Sequence, residues 1–147
     1  MQSQKLKKVV SIFIYAKNQL LLQLRDEKKE ISHPGCWGLI SGALNSNENP
    51  YRGIKREIKE EISISNIKNL VFVGIFLSRK NESIIHYVFK SNLNSLQGIK
   101  LKEGIEYSFF SKTDFFRGHK FSKNLKKTCY IVNNPIMREF YYKTQGS

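Results

Sequence analysis

The sequence of 147 residues predicts one mixed α/β domain spanning residues 1–147. Three observations lead there. Several short runs are rich in β-branched and aromatic residues, one segment between Pro50 and Ile62 has the apolar spacing of a helix, and no repeat, linker or low-complexity stretch interrupts them. A chain of this length can bury roughly two-thirds of the surface it exposes when unfolded.

Lys8–Tyr15 reads as the first strand, closed by the turn-forming pair Lys17 and Asn18. Gln19–Arg25 follows after a hairpin-sized gap. Alternation puts Leu20, Leu22 and Leu24 on one side, and Leu21, Gln23 and Arg25 on the other. Asp26–Gly35 is polar, ends in Pro34 and Gly35, and reads as a loop; a short apolar stretch, Trp37–Ile40, then runs into Ser41 and Gly42. The helix at Pro50–Ile62 is capped by Asn49 and started by Pro50, and Ile54, Ile58 and Ile62 form one apolar stripe. Leu70–Phe76, Ile84–Lys90 and Glu106–Phe110 read as further strands, with Asp114 near a short helical turn. Ser122–Val132 and Ile136–Tyr142 are each read as helical.

Composition bounds the function. Hydrophobic residues at 40% and charged residues at 25% are ordinary for a soluble globular protein, and no apolar run approaches the ~20 residues that span a bilayer. No signal peptide is read at the start, and no membrane association is expected. Cys36 and Cys129 show neither a disulfide framework nor metal-ligand spacing, so both are expected as free thiols in a reducing cytoplasm. Twenty-five Lys and Arg against 12 Asp and Glu leave a net charge of +13, which favours polyanionic partners. The excess is spread along the chain. A small phosphate compound is therefore the preferred partner and nucleic acid the second choice.

The helix also carries a cluster with chemical potential. Glu57 and Glu61 lie one turn apart with Glu60 beside them, opposite the isoleucine stripe. Like charges at this spacing repel by a few tenths of a kcal/mol per pair. Three carboxylates on one rigid face can hold hard divalent cations through oxygen. An ordinary charged helix surface, neutralised by Arg56 and Lys59, is the plainer alternative.

The wider pattern decides between them. Gly42, five residues, Glu48, seven residues, then Arg56, Glu57, Ile58, Lys59, Glu60, Glu61, Ile62, Ser63 and Ile64 resembles the Nudix box, Gly-x5-Glu-x7-Arg-Glu-U-x-Glu-Glu-x-Gly-U with U bulky and aliphatic. The six fixed positions Gly42, Glu48, Arg56, Glu57, Glu60 and Glu61 match, which chance would give on the order of once in 10⁵ such chains. Ser63 departs, standing where the box has its second glycine. In the family that glycine follows the catalytic helix, so a serine there strains the helix exit and not the chemistry. Ser41 likewise stands where many members have a further glycine. The approach to the box (Gln23 to Asp26, then His33 to Leu39) and the stretch from Glu103 to Ser111 also look like Nudix sequences.

This resemblance to the Nudix hydrolase superfamily implies an α/β/α sandwich, a mixed β-sheet between helices. It implies divalent-metal-dependent hydrolysis of a pyrophosphate linkage in a nucleoside diphosphate derivative, such as a nucleoside triphosphate or nucleotide sugar. Glu57, Glu60 and Glu61 would ligate Mg²⁺ or Mn²⁺, helped by a backbone carbonyl near Ser41 and Gly42. Arg56 would orient a box glutamate, and Glu48 would act as an outer partner. The general base would come from the box, with Glu61 the candidate there, or from outside it; Glu103 is favoured outside and Glu106 is the second choice. Arg25 and Trp37 are candidates for substrate contact, Trp37 either stacking on a base or anchoring the core. His33, His86 and His119 lack ligand spacing to one another and are read as non-catalytic. No proline lies between Pro50 and Pro135, and Trp37 is the only tryptophan. The marks associated with ADP-ribose and NADH hydrolysis are therefore missing. Two other readings remain open: a non-catalytic Nudix module binding nucleotide or RNA, and an RNA 5′-end pyrophosphohydrolase using Lys120, Lys123, Lys126 and Lys127. Many relatives are homodimers, and the sequence leaves the oligomeric state open.

Overall fold

The first hairpin sets the frame for everything that follows. The computed structural model describes residues 6–65, 67–78, 83–93, 99–100 and 104–145. Along them run β1 (Lys7–Ala16), β2 (Gln19–Leu24), β3 (Trp37–Gly38), β4 (Ile40–Ala43), α1 (Pro50–Ile62), β5 (Val71–Leu77), β6 (Ile84–Leu93), β7 (Glu106–Phe110), α2 (Lys112–Arg117), β8 (His119–Ser122), β9 (Lys127–Tyr130) and α3 (Pro135–Lys143). Lys17 and Asn18 join β1 to β2 with φ of 51° and 64°, the left-handed pair that a tight two-residue hairpin needs.

β1 pairs in parallel with β6 along its whole length, and β5 closes that side as an antiparallel edge strand. On its other side β1 meets β2 only at the tip, Tyr15 against Leu20 and Ala16 against Gln19. Beyond the tip the two strands diverge. β4 takes the place beside β1, from Val9 opposite Ala43 to Ile12 opposite Ile40, and β3 pairs with the far end of β2. The segment from Trp37 to Ala43 thus crosses a wedge in the sheet, leaving β2 at Gly38 and joining β1 at Ile40. β7 lies along the outer side of β2.

Strand alternation sorts the core into two layers. Val10, Ile12, Ile14 and Leu21 face Ile54, Ile58 and Ile62 of α1. Phe13, Tyr15, Leu20, Leu22 and Leu24 face the other way, onto Phe115 of α2 and Met137, Phe140 and Tyr141 of α3. The result is the α/β/α sandwich with a mixed central sheet that the resemblance implies.

The caps of α1 follow its sequence. The Tyr51 amide donates to the Asn49 side chain at 2.8 Å, and Pro50 opens the first turn. At the other end Ser63 is left-handed, φ 65° and ψ 21°, the backbone for which the Nudix box keeps a glycine. Its amide donates to Lys59 O at 3.1 Å and its hydroxyl to Lys100 O at 3.3 Å, while Lys100 N donates to Ile62 O at 3.0 Å.

The helical reading of Ser122–Val132 is overturned. β8 and β9 form a two-stranded antiparallel hairpin there, Ser122 opposite Lys127 and His119 opposite Tyr130. Its turn is held from outside the segment: the Glu106 carboxylate accepts from the Ser122 hydroxyl (2.6 Å) and the Asn124 amide (3.1 Å). Lys126 takes a left-handed φ of 57°, which breaks any helix. Beyond the turn, Cys129 and Ile131 are buried and Tyr130 is exposed, a period of two. The other helix expected in this region is present as α3, capped by Asn134.

Replacing Ser63 with glycine removes the cost of a β-carbon in a left-handed conformation, about 1 kcal/mol. Urea unfolding of Ser63→Gly is expected to show about that gain. A loss instead would mean that the hydroxyl bond to Lys100 outweighs the backbone strain.

Candidate active site

Glu57 and Glu61 do not lie opposite the isoleucine stripe as expected but beside it, on the side of α1 that turns toward the sheet, and both are buried, 8% and 5% exposed; Glu60 lies further round, its side chain half exposed. Arg56 joins most of this acidic surface. Its Nε and Nη2 donate to the two oxygens of Glu48 at 2.8 Å each, a bidentate pair. Nη1 donates to Glu57 at 2.9 Å and to Glu60 at 3.2 Å, and Nη2 also reaches Ala43 O at 3.1 Å. Hydrogen bonds from Arg56, then from the Asn45 amide, hold the Glu48 carboxyl down at about 2; the bonds to Glu48, and then to Glu57, push the Arg56 guanidinium further above its usual range.

Two further contacts position Glu57 and Glu61. A β-carbon at position 42 would collide with the carboxyl group of Glu57, so only glycine lets that carboxylate lie against β4. Gln23, buried in β2 on the α1 face, donates its amide to Glu61 at 2.9 Å. The carbonyl oxygen of Gln23 is buried with no hydrogen-bond partner among the described residues.

Among the described residues, no three acidic, His or Cys side chains stand together as a preformed metal site. The donor chemistry nevertheless fits a hard divalent cation. Four carboxylates (Glu48, Glu57, Glu60 and Glu61) are offset by one guanidinium, and carboxylate oxygens are the donors such an ion prefers. Glu60, the exposed member, is the one best able to swing toward an ion.

A cavity of about 620 Å³ opens on the opposite face of the same strand. Ser41 lines it, while its neighbour Gly42 lies under Glu57, so β4 separates the cavity from the carboxylates by one strand. Phe76 and His86, paired across β5 and β6, stack with centroids 4.3 Å apart and planes 3° from parallel, and both rings line the cavity. Burial, and then the charge of Lys7, lowers the His86 imidazole below its usual range. Arg25 lines the wall with its Nε donating to Ser32 O at 2.7 Å, and Lys7 and Asn134 complete the polar lining.

The structure thus brings Gly42, Arg56, Glu57, Glu60 and Glu61 together and sets Arg25 in the cavity. Trp37 requires correction as a substrate contact. It is fully buried, edge-on to Phe110 at 5.1 Å, and its Nε1 donates to Lys120 O at 3.1 Å. No face of the ring is left for a base. Glu103 lies outside the described residues, and Glu106 is engaged by the hairpin turn. His33 and His86 line the cavity, whereas His119 is exposed on β8. Both cysteines are free thiols. The sequence reading missed the Phe76–His86 wall, because only the register of β5 on β6 joins those two residues.

The chain matches the model of the NUDIX domain family over residues 5–129, and it belongs to that family. It is a Nudix hydrolase, whose activity in general terms is hydrolysis of a pyrophosphate linkage. Solved structures share the fold at low identity. A MutT protein from Methanosarcina mazei is 21% identical with a TM-score of 0.72, covering 99% of this chain and 100% of that one. A MutT NUDIX hydrolase from Burkholderia pseudomallei is 22% identical with a TM-score of 0.64, covering 76% and 87%. The NUDIX domain of NrtR from Shewanella oneidensis, complexed with ADP ribose, is 10% identical with a TM-score of 0.70, covering 99% and 91%. No curated protein sequence matches the chain significantly. Among the described residues no helix is long and apolar enough to cross a membrane.

The Arg56–Glu48 pair makes stability depend on acid. The folded-state value of Glu48, about 2, lies below its ordinary 4.5. Its contribution is therefore complete above the ordinary value and lost as pH falls toward the folded one. Urea midpoints measured between pH 5 and 2 are expected to fall more steeply for wild type than for Glu48→Gln. Parallel slopes would mean that the pair adds nothing through protonation.

Proposed function

We propose that this Nudix hydrolase acts on a nucleoside diphosphate derivative, a nucleoside triphosphate or nucleotide sugar, with Mg²⁺ or Mn²⁺ as cofactor. The carrying observation is the acidic face of α1, with Glu57, Glu60 and Glu61 gathered round Arg56 and the Gly42 cradle. Glu57, Glu60 and Glu61 would hold the cation, with a backbone carbonyl near Gly42. When bound, it neutralises the diphosphate oxygens and favours in-line attack by water on phosphorus.

The protein groups do the rest. Arg56 keeps Glu57 and Glu60 from swinging apart under their mutual repulsion. Gln23 aims Glu61 from the sheet side. A carboxylate takes the proton of the attacking water as its oxygen bonds to phosphorus and the bond to the bridging oxygen breaks. Glu61 and Glu103 are the candidates for that base. Glu106 is disfavoured, since the hairpin turn occupies its oxygens.

The cavity suits the nucleoside part. Its volume of about 620 Å³ lies in the range of small-molecule sites. The Phe76–His86 wall offers a flat face for a base, and Arg25 and Lys7 offer positive charge. The NrtR domain holding ADP ribose, itself a nucleoside diphosphate derivative, supports this class at the level of the fold. A cytoplasmic location accords with nucleotide substrates and with the free thiols Cys36 and Cys129.

A panel of nucleoside diphosphate derivatives, assayed with Mg²⁺ for phosphate or mononucleotide release, tests this reading. Glu60→Gln and Glu61→Gln are each expected to lower kcat/KM by about 100-fold or more, roughly 3 kcal/mol of barrier. Gly42→Ala is expected to lower kcat by a larger factor than its modest fall in melting temperature accounts for, because it displaces the Glu57 carboxyl, the far end of a flexible side chain. Binding without turnover by wild type across the panel would instead identify a non-catalytic nucleotide-binding module.

A further inference from the structure

We infer that the outward face of the β8–β9 hairpin is a binding site for single-stranded nucleic acid. The register sets His119 opposite Tyr130 and Phe121 opposite Thr128, so these four side chains share one face. The other face is committed to the protein: Ser122 and Cys129 are buried, and Lys120 donates to Phe109 O at 2.9 Å. On the outward face Phe121 is 56% exposed and Tyr130 73%. Two large rings stand in solvent side by side on a ribbon whose turn is pinned by Glu106.

The charge around these rings is one-sided. Residues 117–130 contain no Asp or Glu. Among the described residues, the acids that reach the hairpin are engaged: Glu106 by the turn, Asp114 by Arg117 and Lys120, Glu27 by Lys127 at 2.8 Å. Lys123 and Lys126, at the tip, are exposed and make no side-chain bond among the described residues. Flat rings for stacking beside uncompensated ammonium groups complement unpaired bases on a phosphate chain. An apolar partner, whether protein or lipid tail, would have to bury those two lysines without a counter-charge. The hairpin also adjoins the cavity: Val132, just past β9, lines it, and Ile131 bridges to Trp37. A bound strand would lie beside the site where a terminal nucleotide could enter.

The test is fluorescence anisotropy of the full chain, in EDTA, with a labelled oligouridine and an oligodeoxythymidine of about 12 nucleotides, a length within the range that single-strand binding modules cover. Both are expected to bind, and to lose about tenfold in affinity as salt rises fourfold. Phe121→Ala and Tyr130→Ala should each weaken binding at least about fivefold, whereas Phe121→Tyr and Tyr130→Phe should retain it. Lys123→Gln with Lys126→Gln should flatten the salt dependence, and a duplex of equal length should bind less tightly. No detectable binding at low salt would overturn the inference, as would affinity indifferent to loss of the rings, which would reduce it to diffuse charge. Hydrolysis of a mononucleotide substrate by the Phe121→Ala, Tyr130→Ala double variant should match wild type, so this result stands apart from the hydrolase reading.

Discussion

The guanidinium of Arg56 is the constraint on which the acidic face of α1 depends. Glu48, Glu57 and Glu60 all bond to it, and without it they would repel one another. The same group ties α1 to the sheet through Ala43 O and, through Glu48, fixes the loop that leads into the helix, since Glu48 also accepts from the Asn45 amide at 2.9 Å. A lysine could not replace it. One ammonium has three donors and no planar fork, so it cannot grip Glu48 with two parallel bonds and still reach two other carboxylates and a carbonyl. Two glycines make the arrangement possible from the other side. Gly42 admits the Glu57 carboxyl, and Gly53 lets α1 close on Leu44, where a β-carbon would collide.

The split sheet gives this helix its position relative to the cavity. Because β1 and β2 touch only at the tip of their hairpin, the Trp37–Ala43 segment can enter between them and end against β1. Alternation along β4 then turns Ser41 to the cavity and Gly42 to Glu57. The cavity and the acidic face of α1 thereby lie on opposite faces of one short strand. Gln23 serves the same geometry from β2, at the cost of a buried carbonyl oxygen with no partner among the described residues. That cost is tolerated where a donor aimed at Glu61 matters more than complete satisfaction of the amide.

Legibility in the sequence followed the locality of the interactions. The acidic face was readable because its members lie on one helix at fixed spacing, with Gly42 and Glu48 nearby. The alternation from Leu20 to Gln23 separated Leu20 and Leu22 from Leu21 and Gln23 for the same reason, and the strain at Ser63 was readable from one glycine position. The hairpin was not. Phe121, Leu125 and Cys129 fall at i, i+4 and i+8, a spacing that mimics a helix stripe. The decisive bonds come from Glu106, outside the segment. Trp37 stayed open between stacking and core anchoring for a similar reason: an apolar run does not say how far a ring is covered, and its full burial against Phe110 decides for the anchor. The Phe76–His86 wall depends on a strand register that no local pattern specifies.

The chain carries +13, yet four carboxylates and one guanidinium make the acidic face of α1 locally negative. The general positive field raises the rate at which anionic nucleotides arrive. It cannot bring a diphosphate onto the glutamates, because phosphate and carboxylate oxygens at contact distance repel strongly wherever water is excluded. Arg56 does not relieve this, since its donors are already taken by the carboxylates and by Ala43 O. The positive side chains Lys7 and Arg25 line the cavity on the other face of β4. A diphosphate can therefore reach the acidic face only with additional positive charge between the two. A divalent cation, of the kind Nudix hydrolases generally use, would supply that charge compactly.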